Sequence, residues 1–297
     1  MRPSTKLALF GAGLALVFGF AFMAGGALIP HHVASSWTQA VDGGHHGHGP
    51  GTEPVRGVSL SAGDLMLGAV TAPPTVGARG VLSFRIQTVA GVPVTKFNTE
   101  DTKKLHLIVV RSDGTEFRHV HPAMNDDGQW SMPWAWDAPG PYRIFADFVP
   151  SAGALAGKNT VLSATINVEG TVTPHRPWTP SAVSHVDGFT VTVDGSLAAG
   201  AVSTLTTTIT RDGLPVTVQP YLGTYGHLVI LREGDLAYLH AHPQDADPTA
   251  TSAQRAGKIA FMAEPPTPGR YLLYLDFQVD DQMRTAQFVV DALTTHQ

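Results

Sequence analysis

The sequence predicts an all-β protein: two tandem β-sandwich domains related by an internal repeat, preceded by one N-terminal transmembrane helix. Three observations carry this. The 31 glycines and 22 prolines leave little room for long helices and supply many turns, while an apolar content of 43% with only 14% charged residues suits a chain that buries real cores. Short apolar-alternating segments recur every 8–12 residues or so, the spacing of a sandwich. And the stretch 105–122, L-H-L-I-V-V-R-S-D-G-T-E-F-R-H-V-H-P, returns without a gap at 226–243 as G-H-L-V-I-L-R-E-G-D-L-A-Y-L-H-A-H-P.

At the amino terminus, Arg2 and Lys6 precede an unbroken apolar run from Leu7 to Ile29. It exceeds the roughly 20 residues needed to cross a bilayer and the 7–15 of a signal-peptide core. Residues 1–30 are therefore expected to be an uncleaved anchor, with a cleaved secretory signal as the competing reading. Either places the body of the protein outside the cytoplasm, in a single-pass membrane protein with its C-terminal domains outward. Residues 31–54 form a Gly- and His-rich tether whose His31, His32, His45, His46 and His48 are either weak metal ligands or solvated linker.

The first domain is expected over 55–168, with strands near 58–60, 80–88, 104–111, 115–120, 129–135, 142–149 and 160–168. A Pro-rich, stiff linker follows at 169–180. The second domain spans 181–297, with strands near 188–194, 203–210, 214–218, 226–232, 237–239, 258–262, 271–279 and 284–291. Further matches extend the repeat: Gly91–Thr95 with Gly213–Thr217, Pro139–Tyr142 with Pro268–Tyr271, and Asp147-Phe148 with Asp276-Phe277.

The chain has no cysteine, which excludes disulfides, zinc-thiolate sites, iron–sulfur clusters, thiol nucleophiles and the His₂Cys copper site. A net charge of −5 without a basic cluster argues against nucleic acid as a partner. Neither H-E-x-x-H nor G-x-S-x-G occurs, so an enzyme is not the expectation, and one working through an open metal position ranks last among the readings.

The histidines carry the chemistry. Asp113-Gly114 between β-rich arms signals a two-residue hairpin, which sets His106 opposite His121 with His119 on the same face. Gly234-Asp235 repeats this arithmetic for His227, His242 and His240. A three-residue loop would instead put His106 opposite position 120, on the other face. Three crowded imidazoles gain little from an apolar fold unless something neutralises them, and a metal ion does so. One metal site per domain is expected, with copper ahead of zinc because a His-only site suits Cu²⁺. Asp147 and Asp276, alone in apolar strands, are each a fourth ligand, an acceptor orienting one histidine, or a strand-end cap. Met132 and Met262 are expected in the core, with a soft ligand for reduced copper as the competing role. The competing reading makes H-x-H-P a packing device, with 97–104 and 244–257 as contact loops of a metal-free module.

The motif H-x₁₂-H-x-H-P within small exported sandwiches resembles that of bacterial membrane-anchored or secreted proteins of copper and heavy-metal handling, some cupredoxin-like or immunoglobulin-like. The resemblance implies ligation by His106, His119 and His121, and by His227, His240 and His242. The lack of cysteine departs from true cupredoxins, so electron transfer is not implied. The expected function is metal buffering, delivery or sensing, with a membrane transporter or envelope protein as partner.

Overall fold

The computed structural model describes residues 55–175, 177–244 and 256–294, apart from the His240 side chain. The anchor, the tether and most of the 244–257 loop lie outside the described residues. Among the described residues every named element is a strand, and no helix is long and apolar enough to cross a membrane.

The first repeat holds β1 (Ser61–Ala62), β2 (Leu65–Leu67), β3 (Gly80–Thr88), β4 (Phe97–Asn98), β5 (His106–Arg111), β6 (Arg118–Val120), β7 (Ala123–Met124), β8 (Gln129–Trp134), β9 (Gly140–Pro150) and β10 (Thr160–Val168). One sheet runs β1-β2-β3-β8-β7 and the other β10-β9-β5-β6, with β4 pairing β9. The strand expected at 58–60 is displaced to β1 and β2. Between the sheets lies a core of Leu82, Phe84, Ile86, Leu107, Val109, Trp130 and Ile144. The alternating burial of β3 is what one solvated face requires.

The second repeat holds β11 (Val183–Val186), β12 (Phe189–Asp194), β13 (Leu197–Ala199), β14 (Ser203–Arg211), β15 (Leu214–Pro215), β16 (Gly226–Arg232), β17 (Tyr238–Pro243), β18 (Lys258–Ala263), β19 (Gly269–Val279) and β20 (Gln282–Thr294). Its sheet is continuous, β11-β12-β14-β18-β17-β16-β19-β20-β13, because β17 pairs β16 through its first half and β18 through its second. The sheet folds over a core that includes Val191, Leu205, Ile209, Leu228, Ile230, Phe261, Leu273 and Phe288.

Gly51–Gln297 is one compact unit, so the repeats are not two beads on a stiff linker. A third core joins them: Ile108, Val110, Phe145 and Val161 of the first repeat meet Val229, Leu231, Leu236, Tyr238, Leu272, Tyr274 and Val289 of the second. Alternate residues of β5 serve different cores, Leu107 and Val109 inward, Ile108 and Val110 towards the second repeat. β16 does likewise with Leu228 and Ile230 against Val229 and Leu231. Since side chains alternate along a strand, His106 shares the face of Ile108, and His227 that of Val229. The two histidine-bearing faces therefore meet at the joint.

The β5–β6 hairpin tip docks there. Tyr274 Oη donates to the Gly114 carbonyl at 2.6 Å, Trp178 Nε1 to the Asp113 carbonyl at 2.8 Å, and Phe117 stacks on Tyr274 with ring centres 4.0 Å apart. The linker thus contributes to the joint through Trp178, against which His175 stacks.

Candidate metal centre at the repeat joint

Register decides whether the histidines meet, and the hairpin reaches it by a route the turn motif does not reveal. Gly114 N–H bonds to the Arg111 carbonyl and Arg111 N–H to that of Thr115, both at 2.8 Å, so the loop has three residues. Alone it would turn His106 to the other face. Glu116, in the left-handed region at φ 57, inserts one further residue as a bulge. Pairing then resumes as Val109 with Arg118, Ile108 with His119 and Leu107 with Val120, which sets His106 across from His121 as expected.

The three imidazoles converge. His106 Nδ1 lies 3.0 Å from His119 Nε2 and 3.1 Å from His121 Nε2. One nitrogen from each ring falls within 4.8 Å of the other two. Ring centres are 5.2, 4.9 and 4.9 Å apart. A tetrahedral ion with metal–nitrogen bonds of roughly 2.0–2.1 Å sets its nitrogens about 3.3 Å apart and its ring centres about 5 Å apart.

The partners of the other ring nitrogens assign the tautomers. His106 Nε2 is 3.1 Å from the Glu100 carbonyl, which only accepts, so Nε2 carries the proton and Nδ1 a lone pair. His119 Nδ1 donates to Asp276 Oδ2 at 2.9 Å, leaving its Nε2 lone pair facing His106. Two acceptors therefore face each other at 3.0 Å, and an electrophile, proton or metal ion, is what such a pair requires. Burial, then the neighbouring His119, lowers His106 from 6.5 to about 4. Burial, then His119 and His106, lowers His121 to about 2. An unperturbed imidazole loses its neutral form near 6.5; for His106 burial moves this well below.

The carboxylates join the same place. Asp147 is the cross-strand neighbour of His106, and Asp276 that of His227. Both are buried. Neither is a bare strand-end cap: Asp147 accepts from Tyr238 Oη at 2.9 Å and Asn159 Nδ2 at 2.7 Å, and Asp276 accepts from His119 and, at 2.5 Å, from Thr285 Oγ1. Asp276 thus belongs to one repeat and orients a histidine of the other.

Of the second copy, for which a site of its own is expected, the side chains of His227 and His242 are described. Arg232 and Ala237 close a four-residue loop, and the pairing of Val229 with His240 keeps His227 in line with His242. Beyond His240, however, β17 leaves β16: Ala241, His242 and Pro243 pair with Ala263, Met262 and Phe261 of β18. His242 is consequently exposed while His227 is buried. The His240 side chain lies outside the described residues. Among the described residues His106, His119 and His121 form a cluster at the joint, beside which the second repeat brings His227. Its ring centre is 6.0 Å from that of His106 and 5.6 Å from that of His119. Met132 packs against the first core as expected, whereas Met262 is exposed, opposite His242.

A cavity of about 310 Å³ opens onto the cluster, lined among others by Glu100, Asp101, His106, His119, His227 and His242. Glu100 and Asp101 were not legible as site residues, because the contact of Glu100 is made by its backbone and Asp101 arrives on a turn whose course no pattern specifies.

Fold and site together define a two-repeat, all-β protein with a histidine–carboxylate cluster at the joint. A family model described as Domain of unknown function (DUF8832) matches residues 64–170 and again 184–294, and the chain belongs to that family. The family carries no assigned function, so the resemblance to copper-handling proteins rests on the motif alone. No curated protein matches the chain. Among solved structures, the adhesin InvE of Yersinia pseudotuberculosis is 15% identical over 76% of this chain and 58% of its own, with a TM-score of 0.22. A Corynebacterium diphtheriae protein described as membrane anchored is 11% identical over 78% and 59%, with a TM-score of 0.22. The D00-D0 domain of intimin is 14% identical over 77% and 99%, with a TM-score of 0.23. This chain spans less than two thirds of the first two. Likeness at that level transfers neither their binding nor their assembly.

Proposed function

We propose that this chain is a non-enzymatic module outside the cytoplasm that binds a transition-metal ion at the joint of its two repeats, for buffering, delivery or sensing. Copper is placed ahead of zinc, since the donors are imidazoles without a thiolate and Cu²⁺ stands highest in the affinity order. One observation carries the reading: the lone pairs of His106 Nδ1 and His119 Nε2 face each other at 3.0 Å, with the opposite nitrogens donating to a carbonyl and a carboxylate. That outer arrangement is the one metal-ligating histidines adopt. Delivery would call for a membrane transporter or envelope protein as partner; nothing favours nucleic acid.

The test is titration of Cu²⁺ and Zn²⁺ into the full chain with Ser replacing the five tether histidines. Tight binding and a rise in melting temperature are expected, both lost in His106→Ala/His119→Ala. An unchanged melting temperature in excess of either ion would remove the reading.

A second reading, a metal-free tandem interaction or envelope module, is favoured by the joint itself. The third core and the Tyr274, Trp178 and Tyr238 hydrogen bonds close it with no ion required. The family and fold findings go no further than a tandem β-repeat, and this reading asks nothing more of them.

A further inference from the structure

The second repeat anchors His227 as the first anchors His106. His227 Nε2 lies 3.2 Å from the carbonyl of Tyr221, six residues upstream, just as His106 Nε2 meets that of Glu100, six residues upstream. Thr224 Oγ1, 3.3 Å from the same nitrogen, is 3.2 Å from the Gly226 carbonyl and so has its own proton engaged. With two acceptors around it, Nε2 of a neutral His227 carries the proton and Nδ1 the lone pair. That lone pair faces Asp101 Oδ2 at 3.6 Å, a second meeting of electron donors beside the first. Asp276 already ties His119 across the joint.

We propose that one ion is shared by the two repeats: His227 supplies a fourth nitrogen to those of His106, His119 and His121, and the bound ion clasps the repeats together. This rests on the metal reading above and adds to it the stoichiometry, the fourth ligand and a mechanical role. The geometry is close to what is needed. The His227 ring centre stands 6.0 and 5.6 Å from those of His106 and His119, against about 5 Å for imidazoles on one tetrahedral ion, and its nitrogens are not among those already within 4.8 Å of one another, so the ring turns from Asp101 towards the cluster to complete the set.

The experiment loads the full chain, with its five tether histidines changed to Ser, with Cu²⁺ and counts ions per chain and coordinated nitrogens by electron paramagnetic resonance. One equivalent and four imidazole nitrogens are expected. Two equivalents, or three nitrogens, would overturn the shared site while leaving metal binding intact. His227→Gln, with its fold checked by melting without metal, should bind Cu²⁺ at least ~10-fold more weakly and show one nitrogen fewer. Unchanged affinity and spectrum in that variant would also overturn the proposal. If neither Cu²⁺ nor Zn²⁺ binds the parent chain, the metal reading falls and this inference with it.

Discussion

Acidification should destabilise the metal-free protein through His106, and the size follows from its surroundings. Burial is the largest influence, His119 the next and His227 a smaller one, all lowering it towards about 4, while Asp147 and the Glu100 carbonyl pull the other way. Between pH 6.5 and 4 the unfolded chain therefore binds a proton at this residue that the folded chain refuses. Stability rises with pH wherever the unfolded state holds more protons, so it falls as pH drops through this window. A shift from 6.5 to 4 corresponds to about 2 kcal/mol lost by pH 5 and about 3 kcal/mol near pH 4. His121 and His227 are lowered as well and add in the same direction. Urea unfolding with a chelator present, at pH 7.5 and 5.0, measures the whole effect. Comparison with His106→Gln isolates one member, and the variant should keep roughly 2 kcal/mol of what the parent loses. An equal loss in parent and variant would refute the assignment of a half-buried, neutral His106.

Two further outcomes test the joint. Tyr238→Phe removes the hydroxyl that donates to Asp147, a carboxylate only 4% exposed, and should destabilise by about 1–3 kcal/mol, or roughly 2–4 °C of melting temperature per kcal/mol; no shift would mean that the hydrogen bond is not formed. Gly114→Ala puts a methyl against Leu272 Cδ1 at a φ of +82, which should cost about 1–3 kcal/mol; wild-type stability would show that the hairpin tip does not dock on the second repeat.

What was legible in the sequence is what alternation and turn chemistry control locally. The pattern G-V-L-S-F-R-I-Q-T gave up β3 directly, and the repeated hairpin placed His106 across from His121. The register came out as expected although the loop differs, because the bulge at Glu116 compensates for it; a non-glycine residue in the left-handed region leaves no motif to read. The joint was missed, although its signal was present. β5, β9, β16 and β19 are apolar at successive positions rather than alternate ones, as in L-I-V-V and L-V-I-L, and a strand buried on both faces reads that way. That run marks a second packed face, and a second packed face implies a neighbour. The departure of β17 from β16 was not legible, since pairing to β18 is a contact between distant parts of the chain.

Duplication ordinarily yields two of whatever one copy carries. Here the surfaces bearing the histidines face one another, so what each copy brings is half of a shared interior, and doubling yields a joint with unequal sides. Once the joint closes, His121 and His242 no longer occupy equivalent surroundings, and the copies are free to diverge in the very residues that made them alike. A change in either half alters an environment that belongs to both.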